Sequence, residues 1–217
     1  MRIVLLGATG RTGKLVLETA LEKGHQVICL ARDSQRIQKH DHLKVIEGNP
    51  QHLHDMRKTT QDVDCIISTL NISRTSDFPW AKLRTSATFL SEVMKNCVQA
   101  AKENNVNRII TCSAWGVAET RDDIPFWFRW LIDYSNIGVA YKDHEQQERL
   151  LKASALDWTI VRPTGLTNAK KSQKIRKTFG NNPKPSLTIS RSSVAKFMVD
   201  AISASDMVKK TVVISKD

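Results

Sequence analysis

A chain of 217 residues, 41% hydrophobic and 25% charged, has room for one sizeable α/β domain and the composition of an ordinary globular protein. No apolar run approaches the roughly 20 residues of a membrane span, and a strand pattern starting at the second residue leaves no room for a signal peptide, so a cytoplasmic protein is expected. The 33 Lys and Arg against 22 Asp and Glu give +11, but only Lys170, Lys171, Lys174, Arg176 and Lys177 are dense; they read first as a solvated loop, next as a site for an anionic ligand, and third as a nucleic-acid surface.

In chain order, a strand at 2–7 runs into a glycine turn and a helix at 11–23, then a strand at 26–31 and a helix at 33–39. A strand at 43–48, a helix at 51–60 and a strand at 64–70 follow, before a long helical pattern over 83–105 and a strand at 108–114. Beyond an insertion at 115–140 come a helix at 141–154 and a strand at 157–163; beyond a second, at 164–190, come a helix at 192–204 and a strand at 211–215. Strands that are apolar almost throughout belong to a parallel sheet covered on both faces. Strict alternation with helices makes this a Rossmann-type, doubly wound α/β fold, a single domain over 1–217. Both insertions leave carboxyl ends of strands, where such sheets bind ligands, and are expected to form a small substrate lobe. Cys29, Cys65, Cys97 and Cys112 sit in apolar segments without a Cys-x-x-Cys pair, which reads as buried free thiols rather than disulfides or a metal site.

The first turn reads Gly7-Ala8-Thr9-Gly10-Arg11-Thr12-Gly13. Gly7 closes the strand, Gly10 admits a ligand close to the backbone, and Gly13 lets the helix pack on the sheet. Amides at that helix's N-terminus carry partial positive charge and suit a pyrophosphate. A tight β–α turn wants the same glycines, but the strand before and the amphipathic helix after favour a dinucleotide. Where an NAD site places a carboxylate at the end of the second strand, this chain has Arg32, and Arg11 is expected to reach the same corner. NADPH is thereby favoured over NADH, with Asp33 read as the cap of the next helix.

These stretches, with Val45-Ile46-Glu47-Gly48-Asn49, Ser68-Thr69-Leu70, Thr111-Cys112-Ser113-Ala114 and Leu156-Asp157-Trp158-Thr159-Ile160-Val161-Arg162-Pro163, resemble the atypical short-chain dehydrogenases/reductases. Within them the chain is most similar to the NAD(P)H-binding NmrA-like proteins and the biliverdin-IXβ/flavin reductases. The resemblance implies that Gly48 and Asn49 contact the adenine, although Asn49 stands where the family has an Asp. It places Ser68, Thr69 and Leu70 along the pyrophosphate and ribose, and Pro163, Thr164, Gly165 and Leu166 near the nicotinamide. Ser113 matches the position of a catalytic serine, or else its hydroxyl caps a strand end.

The proton-donating Tyr-x-x-x-Lys is missing. Counted back from Glu148-Arg149-Leu150-Leu151, the lysine position holds His144 and the tyrosine position Ala140. Asp143-His144 resembles the Asp-His of the biliverdin-IXβ/flavin reductases, and His144 is either a proton donor or structural. Without that acid, conjugated acceptors that take their proton from water are the fitting substrates. Pro125-Phe126-Trp127-Phe128-Arg129-Trp130-Leu131 then reads as a lid, with Trp115, Phe126, Trp127 and Trp130 against a planar acceptor, or as a satellite core or subunit interface. The acidic flanks Asp122, Asp123 and Asp133 argue against a membrane-surface anchor. The expected protein is an NADPH-dependent reductase of a flavin, quinone or tetrapyrrole, acting as a monomer or homodimer on a small molecule; the competing reading is an NADP(H)-binding redox sensor.

Overall fold

In a computed structural model that describes residues 1–169 and 173–217, strands and helices alternate from the start. The order is β1 (Arg2–Leu6), α1 (Arg11–Glu22), β2 (Gln26–Ala31), β3 (Leu43–Glu47), α2 (Leu53–Thr59), β4 (Cys65–Ser68), α3 (Phe89–Glu103) and β5 (Arg108–Cys112). It continues with α4 (Phe126–Asp133), α5 (Ile137–Lys152), β6 (Asp157–Pro163), β7 (Gly165–Thr167), β8 (Ile175–Thr178), β9 (Thr188–Ser190), α6 (Arg191–Asp200) and β10 (Lys210–Lys216).

The main sheet has eight strands in the order β3-β2-β1-β4-β5-β6-β10-β8, all parallel except the β8 edge, which runs antiparallel to β10. Successive side chains of a strand point to opposite faces. Ile3 and Leu5 of β1 accordingly join a core shared with α1 and α6, while Val4 and Leu6 join one shared with α3 and α5. A fully buried Ile or Leu contributes about 1.5–3 kcal/mol relative to exposure, and both faces of the sheet are filled with them. The helices meet it with one stripe each: α1 buries Gly13, Val16, Leu17 and Ala20 at helical spacing. Chain order reverses direction between β1 and β4, which opens a crevice at the carboxyl ends of the central strands.

Four segments depart from the sequence expectation. Over 33–39 there is only a single 3-10 turn, Ser34–Arg36, after which Ile37 extends and turns its side chain into the core. Residues 83–88 are not helical: Leu83 bridges Arg74 in antiparallel sense, and the Arg84 amide donates to Ser73 O at 2.7 Å. Helix α5 starts at Ile137, inside the expected first insertion, which also contains α4. The second insertion holds β7 and β9, paired as a small parallel sheet, and the edge strand β8. Among the described residues no helix is long and apolar enough to cross a membrane.

Candidate active site

The glycine turn is built around a close approach. Gly7 has φ +89°, and a Cβ on Gly13 would lie 2.0 Å from Gly7 O, so only glycine fits at Gly13 without a shift. Thr69 seals the other side, its Oγ1 donating to Leu6 O at 3.0 Å. Gly10 is the N-cap of α1; no side chain caps it, and the first turn contains no acidic residue. The helix thus presents open backbone donors at its positive end, the arrangement a pyrophosphate requires. Thr9 and Thr12 are half-buried in the same turn.

At the adenine end, Arg32 follows β2 and is exposed. Asp33 accepts from the Gln35 amide at 3.1 Å and so caps the 3-10 turn. The Gly48 amide donates to Ala31 O at 3.0 Å, the Asn49 amide to Asp55 at 2.9 Å, and Asn49 Oδ1 accepts from the Gln51 amide at 3.1 Å. Arg11 does not turn towards Arg32. Its guanidinium forms two hydrogen bonds with the Asp77 carboxylate, at 2.8 and 3.0 Å, because the segment after β4 brings an opposite charge beside it.

A cavity of about 460 Å³ opens at the carboxyl ends of the central strands. Ser113, Trp115, His144 and the Pro163–Leu166 segment line it, with Arg11 at the glycine-turn end. The structure therefore brings Ser113 and His144 together with the Pro163–Leu166 segment and with Arg11, while the glycines of the turn do not line this cavity. Ser68, by contrast, is buried at the end of β4, and Leu70 packs on the core beside α3. Two buried polar atoms in residues lining the cavity, Trp115 Nε1 and Thr164 Oγ1, have no protein partner among the described residues. Such atoms are costly unless something bonds them, and both lie beneath the cavity wall rather than open to it.

Ser113 Oγ donates to Glu148 Oε1 at 2.7 Å. Glu148 in turn accepts from Arg162 Nε (2.9 Å) and Nη2 (2.6 Å), and Arg162 reaches Glu119 at 2.7 and 3.1 Å. Burial pushes the Glu148 carboxyl up, but the hydrogen bonds and charge of Arg162, helped by Ser113 and Lys152, hold it below its ordinary value. The Ser113 hydroxyl proton is thus committed to the network. One turn earlier on α5, burial pushes His144 down to about 4, with the charge of Glu148 opposing only in part. The ring is neutral around pH 7. Gln147 Nε2 lies 3.4 Å from His144 Nδ1, and an amide N–H there leaves the ring proton on Nε2. Asp143 fixes the helix carrying His144: its carboxylate accepts from the Leu90 amide (2.6 Å), the Ser91 amide (3.2 Å) and Ser91 Oγ (2.5 Å), capping α3 from outside. Tyr141 OH donates to Trp115 O at 3.2 Å, and burial pushes its phenol well above the ordinary value.

Of the aromatic segment, Phe128 rather than its neighbours faces inward, lining the cavity and packing with Trp115, Ile132 and Tyr141. Phe126, Trp127 and Trp130 do not reach the cavity; they are 76%, 56% and 54% exposed on the outer side of α4. A helix turning about 100° per residue sends Phe128 and Ile132 one way and these three another. The basic cluster is likewise elsewhere: Lys174 and Arg176 pair with Asp217, and Lys177 with Asp206, while Lys170 and Lys171 lie outside the described residues. Sequence reading passed over Glu148, Arg162 and Glu119; the available signal was Arg162, a charge inside an apolar strand, which implies a buried partner.

Residues 7–205 match the family model described as NAD(P)H-binding. The photosystem II assembly factor Ycf39 of Synechocystis sp. is 23% identical over 225 residues, covering 97% of this chain and 61% of that protein, so the chain spans less than two thirds of this relative's length. Three solved structures share the fold. They are the oxidoreductase ylbE of Lactococcus lactis (TM-score 0.83, 20% identity, 100% of this chain and 91% of that one); a Veillonella parvula short-chain dehydrogenase/reductase in complex with NADP (0.80, 20%, 99% and 94%); and ChuY, an anaerobillin reductase of Escherichia coli O157:H7 (0.80, 17%, 100% and 97%). With the glycine cradle, the open helix terminus and the switch-point cavity in place, the match over nearly the whole chain settles the assignment: this protein has a Rossmann-type fold and belongs to the NAD(P)H-binding family.

Proposed function

We propose that this chain is an NADPH-dependent reductase of a planar, conjugated acceptor such as a flavin, quinone or tetrapyrrole. One observation carries the reading. Among the described residues, the cavity that runs from Arg11 to Trp115, Phe128 and His144 is lined by no group poised to give up a proton near neutrality. His144 is neutral because burial holds it at about 4, and the Tyr141 phenol is bonded to a backbone carbonyl with its pKa raised. Acceptors that need an acid at a carbonyl oxygen are poorly served; those that delocalise the incoming electron pair and draw a proton from water are not.

Gly7, Gly10, Gly13 and the start of α1 would hold the pyrophosphate, Arg32 the 2′-phosphate, and Pro163–Leu166 the nicotinamide end. When bound, the reduced nicotinamide supplies a hydride, and the matching proton comes from solvent. Asp33 being spent on a turn, and Arg32 exposed beside it, supports NADPH over NADH. Trp115 and Phe128 wall the acceptor, the neutral His144 offers it an N–H donor, and Ser113 positions Glu148 rather than donating to the substrate. The protein's work is orientation and the exclusion of water.

A second reading, an NADP(H)-binding regulator, is favoured by the surface aromatics. Phe126, Trp127, Trp130 and Tyr134 on and just after α4, with Phe78 and Trp80 fastened to them by the Trp80 Nε1 bond to Tyr134 O, are all exposed. The experiment is NADPH oxidation, followed by loss of dihydronicotinamide absorbance, against flavins, quinones, tetrapyrroles and simple ketones. Turnover with a conjugated acceptor and none with ketones supports the reductase. Tight NADPH binding without turnover supports the regulator.

A further inference from the structure

Three guanidiniums meet at the mouth of the cavity with a single carboxylate between them. Arg11, Arg74, Arg191 and Asp77 all line it. Asp77 takes two hydrogen bonds from Arg11, at 2.8 and 3.0 Å, yet its side chain is 78% exposed at the tip of the segment after β4. Arg74 is held nearby by the Phe78 and Pro79 carbonyls, at 3.0 and 3.1 Å, and Arg191, first residue of α6, by Asn168 Oδ1 at 2.6 Å. The Asp77 carboxyl is lowered by Arg11 first and by Arg74 and Arg191 as well, so all three cations act on this one group. Arg191 is itself lowered, by burial and then by the like charge of Arg11. Counted as formal charges, three cations and one anion leave this rim with an excess of positive charge next to the acceptor cavity.

We propose that Arg11, Arg74 and Arg191 form an anion subsite that takes a carboxylate or phosphate substituent of the acceptor, and that the exposed Asp77 is the internal counter-anion this substituent displaces. The proposal rests on the acceptor occupying the cavity, as in the function proposed above, and it narrows the acceptors to those carrying an acidic arm. Arginine suits such an arm because its planar fork bonds two oxygens at once. Asp77 can leave cheaply, since an exposed ion pair contributes little. The same chemistry is offered by the cofactor's pyrophosphate, so the test has to separate the two sources.

FMN and riboflavin share one ring system and differ by a phosphate. Their binding is measured by fluorescence quenching on protein saturated with NADP⁺, which fills the cofactor's own phosphate sites. FMN is expected to bind about tenfold tighter or more than riboflavin. Arg191→Gln brings the ratio towards one without changing NADPH affinity, and Asp77→Asn strengthens FMN several-fold while leaving riboflavin alone. Equal affinities for the two flavins, or an Arg191→Gln variant that loses NADPH affinity with the flavin ratio intact, overturn the proposal. A second arm uses inorganic pyrophosphate on the NADP⁺-saturated protein, read as a thermal shift that Arg191→Gln abolishes. If pyrophosphate binds this way while no acceptor is reduced, the three arginines hold an anion, but its assignment to an acceptor falls with the reductase reading. If the flavins are reduced at equal efficiency, the reductase stands and the subsite falls. Binding of neither FMN nor pyrophosphate removes the subsite.

Discussion

Arg162 and Glu148 meet at 2.6 Å with side chains 0% and 2% exposed, a buried ion pair directly behind the wall that carries Ser113. Removing one partner of such a pair leaves the other charged and undersolvated, which costs about 3–5 kcal/mol. Arg162 keeps Glu119 at 2.7 and 3.1 Å, so Glu148→Gln should lower the urea midpoint by at most that equivalent. The carboxyl is held below its ordinary 4.5, so its stabilisation is complete above that value and is lost as the pH falls through the lower folded value. Acid unfolding of the parent should show this loss, and Glu148→Gln should be less pH-sensitive there. An unchanged midpoint would refute the role given to the pair.

His144 adds to this acid sensitivity from a higher pH. Its folded value, about 4, lies below the ordinary 6.5, so between these limits only the unfolded chain takes up the proton. Stability should fall as the pH drops through that window, by up to about 1.4 kcal/mol per pH unit from this group. His144→Gln should flatten the slope and, by keeping an N–H donor, hold turnover within about tenfold; a general acid would cost about 10²–10⁴-fold. The parent's kcat should show no inflection near 6.5 from this ring. A protonated His144 by NMR at pH values near 6 would sink the argument.

For Gly13→Ala, the added Cβ would stand 2.0 Å from Gly7 O and 2.8 Å from Thr69 Oγ1. Overpacking of this kind costs about 1–3 kcal/mol, and here the displaced atoms belong to the turn proposed to hold the pyrophosphate. Both thermal stability and NADPH affinity should drop. Gly24→Ala is the control: φ is +75°, but nothing lies within 4 Å, so it should lose about 1–2 kcal/mol of stability and no cofactor affinity. Equal NADPH binding by Gly13→Ala and the parent would contradict the cradle.

If Arg32 holds the 2′-phosphate, as proposed, Arg32→Ala should weaken NADPH about tenfold or more and leave NADH, which lacks that group, nearly unchanged. Isothermal titration with both nucleotides measures it. A parent that binds the two equally would remove Arg32 from the site.

Sequence periodicity carried the sheet well. The apolar runs around Val4, Ile28, Ile66 and Ile109 are all core strands, and the glycine spacing found the turn at which Gly13 meets Gly7. What it missed depends on contacts between distant segments. Nothing local to residues 83–88 says that they pair with 73–75 instead of extending α3, or that Asp143 caps that helix from α5. Phe128 stands among four aromatics in the sequence, but the face of α4 that turns inward is decided by Trp115 and Tyr141, which arrive from other elements. Arg11 met Asp77 across 66 positions, a separation no motif spans.

The edge strand β8 gives the basic cluster a different meaning. A strand at the rim of a sheet offers unpaired backbone groups that another chain can zip onto, and short length with lysine or arginine side chains deters such pairing. At four residues, with Arg176 and Lys177 anchored by Asp217 and Asp206, β8 has both features. The opposite rim, β3, carries exposed Lys44 and Glu47. The part of the cluster that lies on β8 thus reads as edge protection, a solvated charged rim of the kind that deters strand-to-strand pairing.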